Sequence, residues 1–352
     1  MPSTWHCRRP ATCATYNSEP AAEWQRSPRP VPLADEAGLF LFDLQHDYCY
    51  HPRDMSTQGI TFYNRYTGQM EQEKVLGEKS LRWVYGTTLG KVSLHVLIKR
   101  AFFSKILGAM KNTRGSAASL PDFVKEYNIN MDEAEKSLEE FTSFNDFFYR
   151  KLKPGARPVC EGATVALPSD GRHSGWQDAS QMQGVFVKGQ QFDLRALLGS
   201  DELAEKYEHG TVVLSRLCPV DYHRFHFVAE GTPEAAVRIP GPLASVSPYC
   251  LRHKLSWLWT NKRELTMLHT PHIGDVVHLA VGATGVGAIF QTYEPGKAIQ
   301  KGDEQGYFAF GGSTIMTFFE PGRIQLADDI LRNTANCTET FARQGDLLGT
   351  IC

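Results

Sequence analysis

The spacing of apolar positions changes character about two-fifths of the way along the chain. From Thr88 to Lys111, Leu89, Val92, Val96, Phe103, Leu107 and Met110 recur at helical intervals, with Lys91, His95 and Lys105 off the stripe and Arg100 interrupting it. This predicts a helix that either packs on a core of its own or lies as a basic amphipathic helix on a membrane surface. A second helix is predicted from Asn130 through EAEKSLEEF to a break at Thr142-Ser143, and FNDFFYRKL repeats the i, i+3, i+4 spacing with Phe144, Phe147 and Phe148. After Pro154-Gly155, short apolar runs alternate with turn signals such as Pro240-Gly241, Gly274-Asp275, Pro295-Gly296 and Pro321-Gly322. VVLSRL (212–217), DVVHLAV (275–281), AIFQTY (288–293) and TIMTFF (314–319) are β-branched and aromatic, and predict strands. LRALLG (194–199) and ELAEKY (202–207) read as a short helical insertion. The expected class is α+β, with a helical region over 58–153 followed by a mainly antiparallel β domain over 154–352 that carries the active site.

Residues 1–57 lack any sustained period and are punctuated by Pro2, Pro10, Pro20, Pro28, Pro30 and Pro32, which predicts a poorly ordered extension. The 352 residues carry a net charge of -2, so bulk electrostatics disfavours a nucleic-acid partner. No C-x-x-C pair exists among the eight cysteines, so no zinc ribbon is expected. No run of about 18 apolar residues is present, and membrane contact, if any, is expected to be peripheral.

Three short segments could carry chemistry. Gly311-Gly312-Ser313-Thr314 leads straight into the strand TIMTFF. Two glycines leave the Gly312 carbonyl sterically open to attack by the Ser313 hydroxyl, although four such residues alone also suit a glycine bulge before a strand. In CPVDYHRFH (218–226), His223 and His226 are candidate acid–base groups near neutral pH. As a pair they could also bind metal, but no third ligand stands at a familiar spacing, and each could be a hydrogen-bonded core histidine. In LPSDG (167–171), Asp170 precedes a glycine, as in many turns, and a carboxylate so placed can orient a histidine. Gly282-Ala283-Thr284-Gly285-Val286-Gly287 has the wrong glycine order for a dinucleotide fingerprint and is followed by strand, not helix.

Together these segments resemble one family. FNDFFYRKLKPGARP (144–158), LPSDG, VKG (187–189), CPVDYHRFH, VGATGVGAI (281–289) and KGDEQGYFAFGGST (301–314) are similar, in content and order, to the signatures of the pyruvoyl-dependent phosphatidylserine decarboxylases. The long lead-in to GGST is most similar to the bacterial type-II branch. The resemblance spans roughly residues 60–350; the N-terminal extension has no counterpart in it.

The resemblance implies self-cleavage between Gly312 and Ser313, giving a large β chain (1–312) and a small α chain (313–352) that remain together as a heterodimer, with higher homo-oligomers possible. Asp170, His226 and Ser313 would form the charge relay for cleavage. Ser313 would become a covalent pyruvoyl cofactor that takes the substrate amine as a Schiff base, and His223 would supply the proton after carbon dioxide leaves. No metal is implied. The expected substrate is phosphatidylserine in a lipid bilayer, the product phosphatidylethanolamine, and the location the cytoplasmic side of the cell membrane, bound peripherally. The rival readings are a related pyruvoyl decarboxylase of a soluble amino acid, a serine hydrolase using Asp170, His226 and Ser313 without cleavage, and a non-catalytic β-domain binding module.

Overall fold

The computed structural model describes residues 60–74, 106, 108–185, 193–244, 256–283, 289–310 and 313–352. Its strands are, in chain order, β1 (Thr61–Asn64), β2 (Gln69–Gln72), β3 (Thr164–Ala166), β4 (Gly171–Trp176), β5 (Thr211–Leu217), β6 (Arg224–His226), β7 (Thr232–Pro233) and β8 (Val237–Ile239). They continue with β9 (Arg263–His269), β10 (Asp275–Val281), β11 (Ile289–Gln291), β12 (Glu304–Phe308), β13 (Ser313–Phe319), β14 (Ile324–Leu326), β15 (Glu339–Ala342) and β16 (Leu347–Ile351). One large sheet runs β2-β1-β15-β4-β5-β13-β10-β9-β7, with β8 also on β9. Two three-stranded sheets, β11-β12-β6 and β14-β16-β3, complete the described strands. Apart from the parallel pair β1–β15, the ladders are antiparallel, so the α+β class is as expected.

The centre of the large sheet explains the uninterrupted apolar runs. Every residue of β5 and β13 is buried, because both faces of these strands are covered. Met316 and Phe318 of β13 pack with Val212, Leu214, Val277 and Leu279 on one face. That face is closed by the helices Leu194–Leu198, Asp201–Tyr207 and Trp257–Thr260. The first two helices are capped by Asp193 and Ser200, whose side chains accept from the Ala196 and Leu203 N–H groups. On the other face, Phe319 packs with Val213, Val276 and Phe227, and Ile315 with Leu217, Phe225 and Phe308.

The structure differs from the expected helical region 58–153 in two places. Residues 61–72 form the hairpin β1–β2, joined to the large sheet through β15. Helix occupies Leu120–Tyr127, where Pro121 stands at the first turn and Asn128 closes the end in the left-handed conformation. The segment after Asn130 makes only the 3-10 turns Met131–Glu133 and Leu138–Glu140, because its backbone is drawn into contacts with residues 151–153. The helix Phe144–Phe148 forms as its phenylalanine spacing predicts. The extension 1–57 lies outside the described residues, as does most of the 88–111 stripe; residues 106 and 108–111 are helical.

A buried ionic cluster ties the hairpin to the sheet. Arg216 on β5 meets Glu73, just after β2, at 2.7 Å and Glu339 on β15 at 2.5 Å. Arg172 on β4 meets Asp221 at 2.5 Å and Glu73 at 3.5 Å. Burial opposes ionisation of Glu73, but Arg216 and Arg172 outweigh it and hold the carboxyl at about 2. Removing one member strands a buried charge, so Arg216→Met should destabilise the protein by about 3–5 kcal/mol in urea unfolding.

A second prediction concerns His173 and His278, both fully buried in the sheet interior, where burial pushes each down to about 3. Unfolded histidine titrates near ~6.5, so the unfolded chain binds more protons between the two values. Stability is therefore full above about 6.5 and falls as pH drops towards 3, by up to about 1.4 kcal/mol per pH unit for each histidine. The urea midpoint should be clearly lower at pH 5 than at pH 7.5.

Candidate active site

Ser313 is the first residue of β13 and pairs with Leu217, the last residue of β5. It shares the sheet face of Leu217 and Ile315, the face against which Phe225 of β6 and Phe308 of β12 pack. Its side chain is fully buried and, among the described residues, its Oγ has no hydrogen-bond partner. Gly311 and Gly312 lie outside the described residues.

The chain leaves β5 at Leu217 and turns through Cys218–Asp221 before entering β6. Asp221 holds that turn by accepting from the Cys218 N–H at 2.7 Å while pairing with Arg172. His223 follows. Its Nδ1 bonds the Asp221 carbonyl at 3.0 Å, which fixes the proton on Nδ1 and leaves Nε2, also buried and unpartnered, as a lone-pair base. The Phe148 ring stacks on the imidazole at 3.8 Å between centroids. The Phe308 N–H donates to the His223 carbonyl, which ties β6 to the strand that runs towards Ser313. Burial pushes His223 down to about 3.

His226 closes β6 opposite Glu304 of β12, and its backbone N–H donates to the Pro168 carbonyl at 2.8 Å. The LPSDG turn and the YHRFH strand, 54 residues apart at Asp170 and Arg224, thus meet directly. Burial pushes His226 down to about 4, against the upward pull of Glu304 and then Asp170, so the ring is neutral at physiological pH. Its Nδ1 has no partner. Asp170 is buried, but its oxygens are taken by Arg157, at 2.7 and 2.9 Å, and by the Gln344 N–H at 2.9 Å. Among the described residues no hydrogen bond joins Asp170, His226 and Ser313 to one another. Asp170 therefore acts on His226 through space. Gly171 explains the Asp-Gly step: its φ is +157°, and a Cβ there would stand 2.5 Å from the Arg216 carbonyl.

Buried polar groups are nearly always hydrogen-bonded. Among the described residues Ser169 Oγ, His223 Nε2, His226 Nδ1 and Ser313 Oγ are not, and neither are atoms of Arg150, Arg172, His278, Gln305, Thr314 and Thr317; the first four come from the three segments singled out in the sequence. Unspent hydrogen-bonding capacity held dry is what a nucleophile and its proton carriers require.

Four further residues shape this site without any sequence signal that isolates them. Asn145 accepts from the Phe310 N–H at 2.7 Å, holding the approach to Ser313. Arg150, buried and lying over the Phe147 ring at 4.8 Å, points Nη1 and Nη2 at the Asp221 and Val220 carbonyls, at 3.5 Å each. Arg157 orients Asp170 and also reaches Glu133 at 2.8 Å. Glu304 pairs with Arg224 through both oxygens at 2.8 Å. Arg150 and Arg157 belong to FNDFFYRKLKPGARP, where helical spacing drew attention to the phenylalanines instead.

Comparison with known proteins finds the family that this chain is similar to. The family model described as phosphatidylserine decarboxylase matches residues 144–343. The phosphatidylserine decarboxylase proenzyme of Clostridium botulinum (strain Alaska E43 / Type E3) is 41% identical over 292 residues, covering 83% of this chain and 99% of that protein. The proenzymes of Clostridium novyi (strain NT) and Desulfitobacterium hafniense (strain DSM 10664 / DCB-2) are 42% and 40% identical over 292 residues, covering 83% and 82% of this chain and 99% and 98% of theirs. The order of motifs, the buried Ser313 at the head of β13 and the extent of these matches together place the chain in the phosphatidylserine decarboxylase family.

Proposed function

We propose that this chain is a proenzyme that cleaves itself before Ser313 and then decarboxylates phosphatidylserine to phosphatidylethanolamine and carbon dioxide. The observation that carries the reading is Ser313: a serine buried at a strand start, its hydroxyl unpartnered among the described residues, directly after two glycines and paired with Leu217, from which the segment carrying two neutral histidines departs. In this reading His226 takes the Ser313 hydroxyl proton, and Oγ attacks the Gly312 carbonyl, converting the Gly312–Ser313 amide into an ester. Loss of the Ser313 α-proton expels the Gly312 carboxylate. Addition of water to the remaining dehydroalanine releases ammonia and leaves a pyruvoyl group at the new N-terminus. Asp170, held by Arg157, and Glu304 place negative charge near His226, which favours the imidazolium formed as it accepts the proton.

The fit of the pyruvoyl group rests on the same residue: Ser313 is buried and its hydroxyl has no hydrogen-bond partner among the described residues, so a carbonyl formed there would break no existing bond. That group supplies a conjugated carbonyl into which the electrons left by departing carbon dioxide can delocalise. The chain's own residues do the rest. A ring held neutral, as His223 is, can donate only a proton that it has first accepted. Its Nε2 is therefore suited to take a proton from the substrate ammonium and later return one to the former α-carbon. Asp221, Arg150 and Phe148 keep that nitrogen aimed.

The two chains would stay together after cleavage. Residues 313–352 supply β13, paired on both sides, along with β14, β15 and β16. Among the described residues no helix is long and apolar enough to cross a membrane. Access to a lipid substrate is read as peripheral, at the cytoplasmic face of the cell membrane.

Intact mass of the purified protein should show two chains, the smaller starting at residue 313 and blocked to Edman sequencing, whereas Ser313→Ala should give one uncleaved chain. His226→Ala should also remain uncleaved. His223→Ala should cleave but turn over roughly 10²–10⁴-fold more slowly. Equal cleavage by both histidine variants would reverse the assigned roles. Because His226 is neutral above about 4, the rate of self-cleavage should be flat from pH 6 to 8 and fall as pH drops towards 4. Phenylhydrazine should inactivate the cleaved enzyme, with the adduct on the small chain; a fully active enzyme that resists it would count against the pyruvoyl group and favour the hydrolase reading.

A further inference from the structure

We infer that Lys111 is the residue that receives the phosphodiester of the lipid headgroup, an assignment that rests on the function proposed above. Lys111 ends the helical stretch that contains residues 106 and 108–111. Its Nζ lies 4.1 Å from the centroid of the Phe144 ring and 4.9 Å from that of Phe310. Both rings are fixed. The Phe310 N–H is held by Asn145, Asn145 in turn donates to Asn112 at 2.8 Å, and the Phe144 N–H donates to Ser116 at 2.9 Å. The ammonium is thereby pinned to the segment that leads into the cleavage site. Ser313 is three residues beyond Phe310, at most about 11 Å of chain.

The cation meets no anion among the described residues. Among the described residues no carboxylate lies within 4.0 Å of Nζ, and burial lowers its pKa with no neighbouring charge to offset the effect. The aromatic faces attract the ammonium but leave its N–H donors unspent. A half-buried ammonium in this condition is suited to an anion that arrives from outside.

The surroundings indicate which anion. Ile106 and Met110, one helical turn apart and beside Lys111, are 44% and 61% exposed. Exposure rises in the same series: Ser313 is fully buried, Lys111 half-buried against Phe310, and Ile106 and Met110 exposed. In phosphatidylserine, one oxygen and two carbons separate phosphorus from the amine nitrogen, and the acyl chains lie beyond the phosphate. The order of chemical groups in the substrate matches the order of residues. A free amino acid has no group for Lys111, so the assignment also accounts for preference for the phospholipid over soluble serine.

The test compares wild type, Lys111→Gln and Lys111→Arg on phosphatidylserine dispersed in a neutral detergent, after intact mass has confirmed two chains in each. Loss of a charge-assisted contact should raise KM for Lys111→Gln roughly 10- to 100-fold, with a much smaller change in kcat, and Lys111→Arg should restore most of the loss. Glycerophosphoserine should compete with substrate more strongly than free serine in wild type, and Lys111→Gln should erase that difference. Binding to phosphatidylglycerol vesicles should be nearly unchanged in the variant. An unaltered KM in Lys111→Gln, a wild type indifferent to the phosphate of the competitor, or vesicle binding that falls in proportion to the KM effect would each overturn the assignment, the last by making Lys111 a general surface contact. Wild type that cleaves itself but releases no carbon dioxide from phosphatidylserine would instead overturn the function on which it rests.

Discussion

The molecule depends on one strand. β13 lies between β5 and β10, paired residue by residue on both sides and covered on both faces. A strand so enclosed has no slack: slipping its register by one residue would turn Phe319 and Ile315 out of one core and Met316 and Phe318 out of the other. Ser313 is its first residue, so the position of its hydroxyl is set by the whole hydrophobic interior and not by a loop. The same enclosure buries that hydroxyl, which has no hydrogen-bond partner among the described residues.

Around that strand, charge performs the local positioning. Arg172 and Arg216 sit on adjacent strands directly opposite each other, an arrangement that would repel were it not for Glu73, Glu339 and Asp221. Those carboxylates come from the N-terminal hairpin, from β15 near the C-terminus and from the turn before His223. The cluster therefore connects the hairpin, the turn before His223 and β15 in one buried set of charges. Arg157 and Asp170 repeat the device on a smaller scale, with the Gln344 N–H as third member.

The histidines show why burial matters for chemistry as well as stability. Both are held neutral, and both retain an unpartnered nitrogen. A histidine in water near neutral pH is a mixture of two protonation states; these two begin in one. The fold spends stability at low pH to keep them so, since each buried ring resists the proton that the unfolded chain would accept.

By itself the sequence determined the strands β5, β10, β11 and β13, the short helices near residues 194–207, and the three segments that supply Ser313, the histidine pair and Asp170. These were legible because local composition and spacing encode them: β-branched runs, a phenylalanine period, glycines before a serine, and motifs in a family order. What only the tertiary structure decided was long-range. Polar TFYN and QMEQ pair as strands because β15 offers a partner edge, not because their own pattern demands it. EAEKSLEEF has helical composition, yet its backbone bonds to residues 151–153 and the helix does not form. That Asp170 answers to Arg157 and not by hydrogen bond to His226, that Glu304 stands across from His226, and that Lys111 rests on Phe144 and Phe310 without a carboxylate all follow from sheet register and packing. Residue type fixes what a side chain can do; which partner it finds is set by the pairing of distant strands, and that pairing is a property of the folded chain.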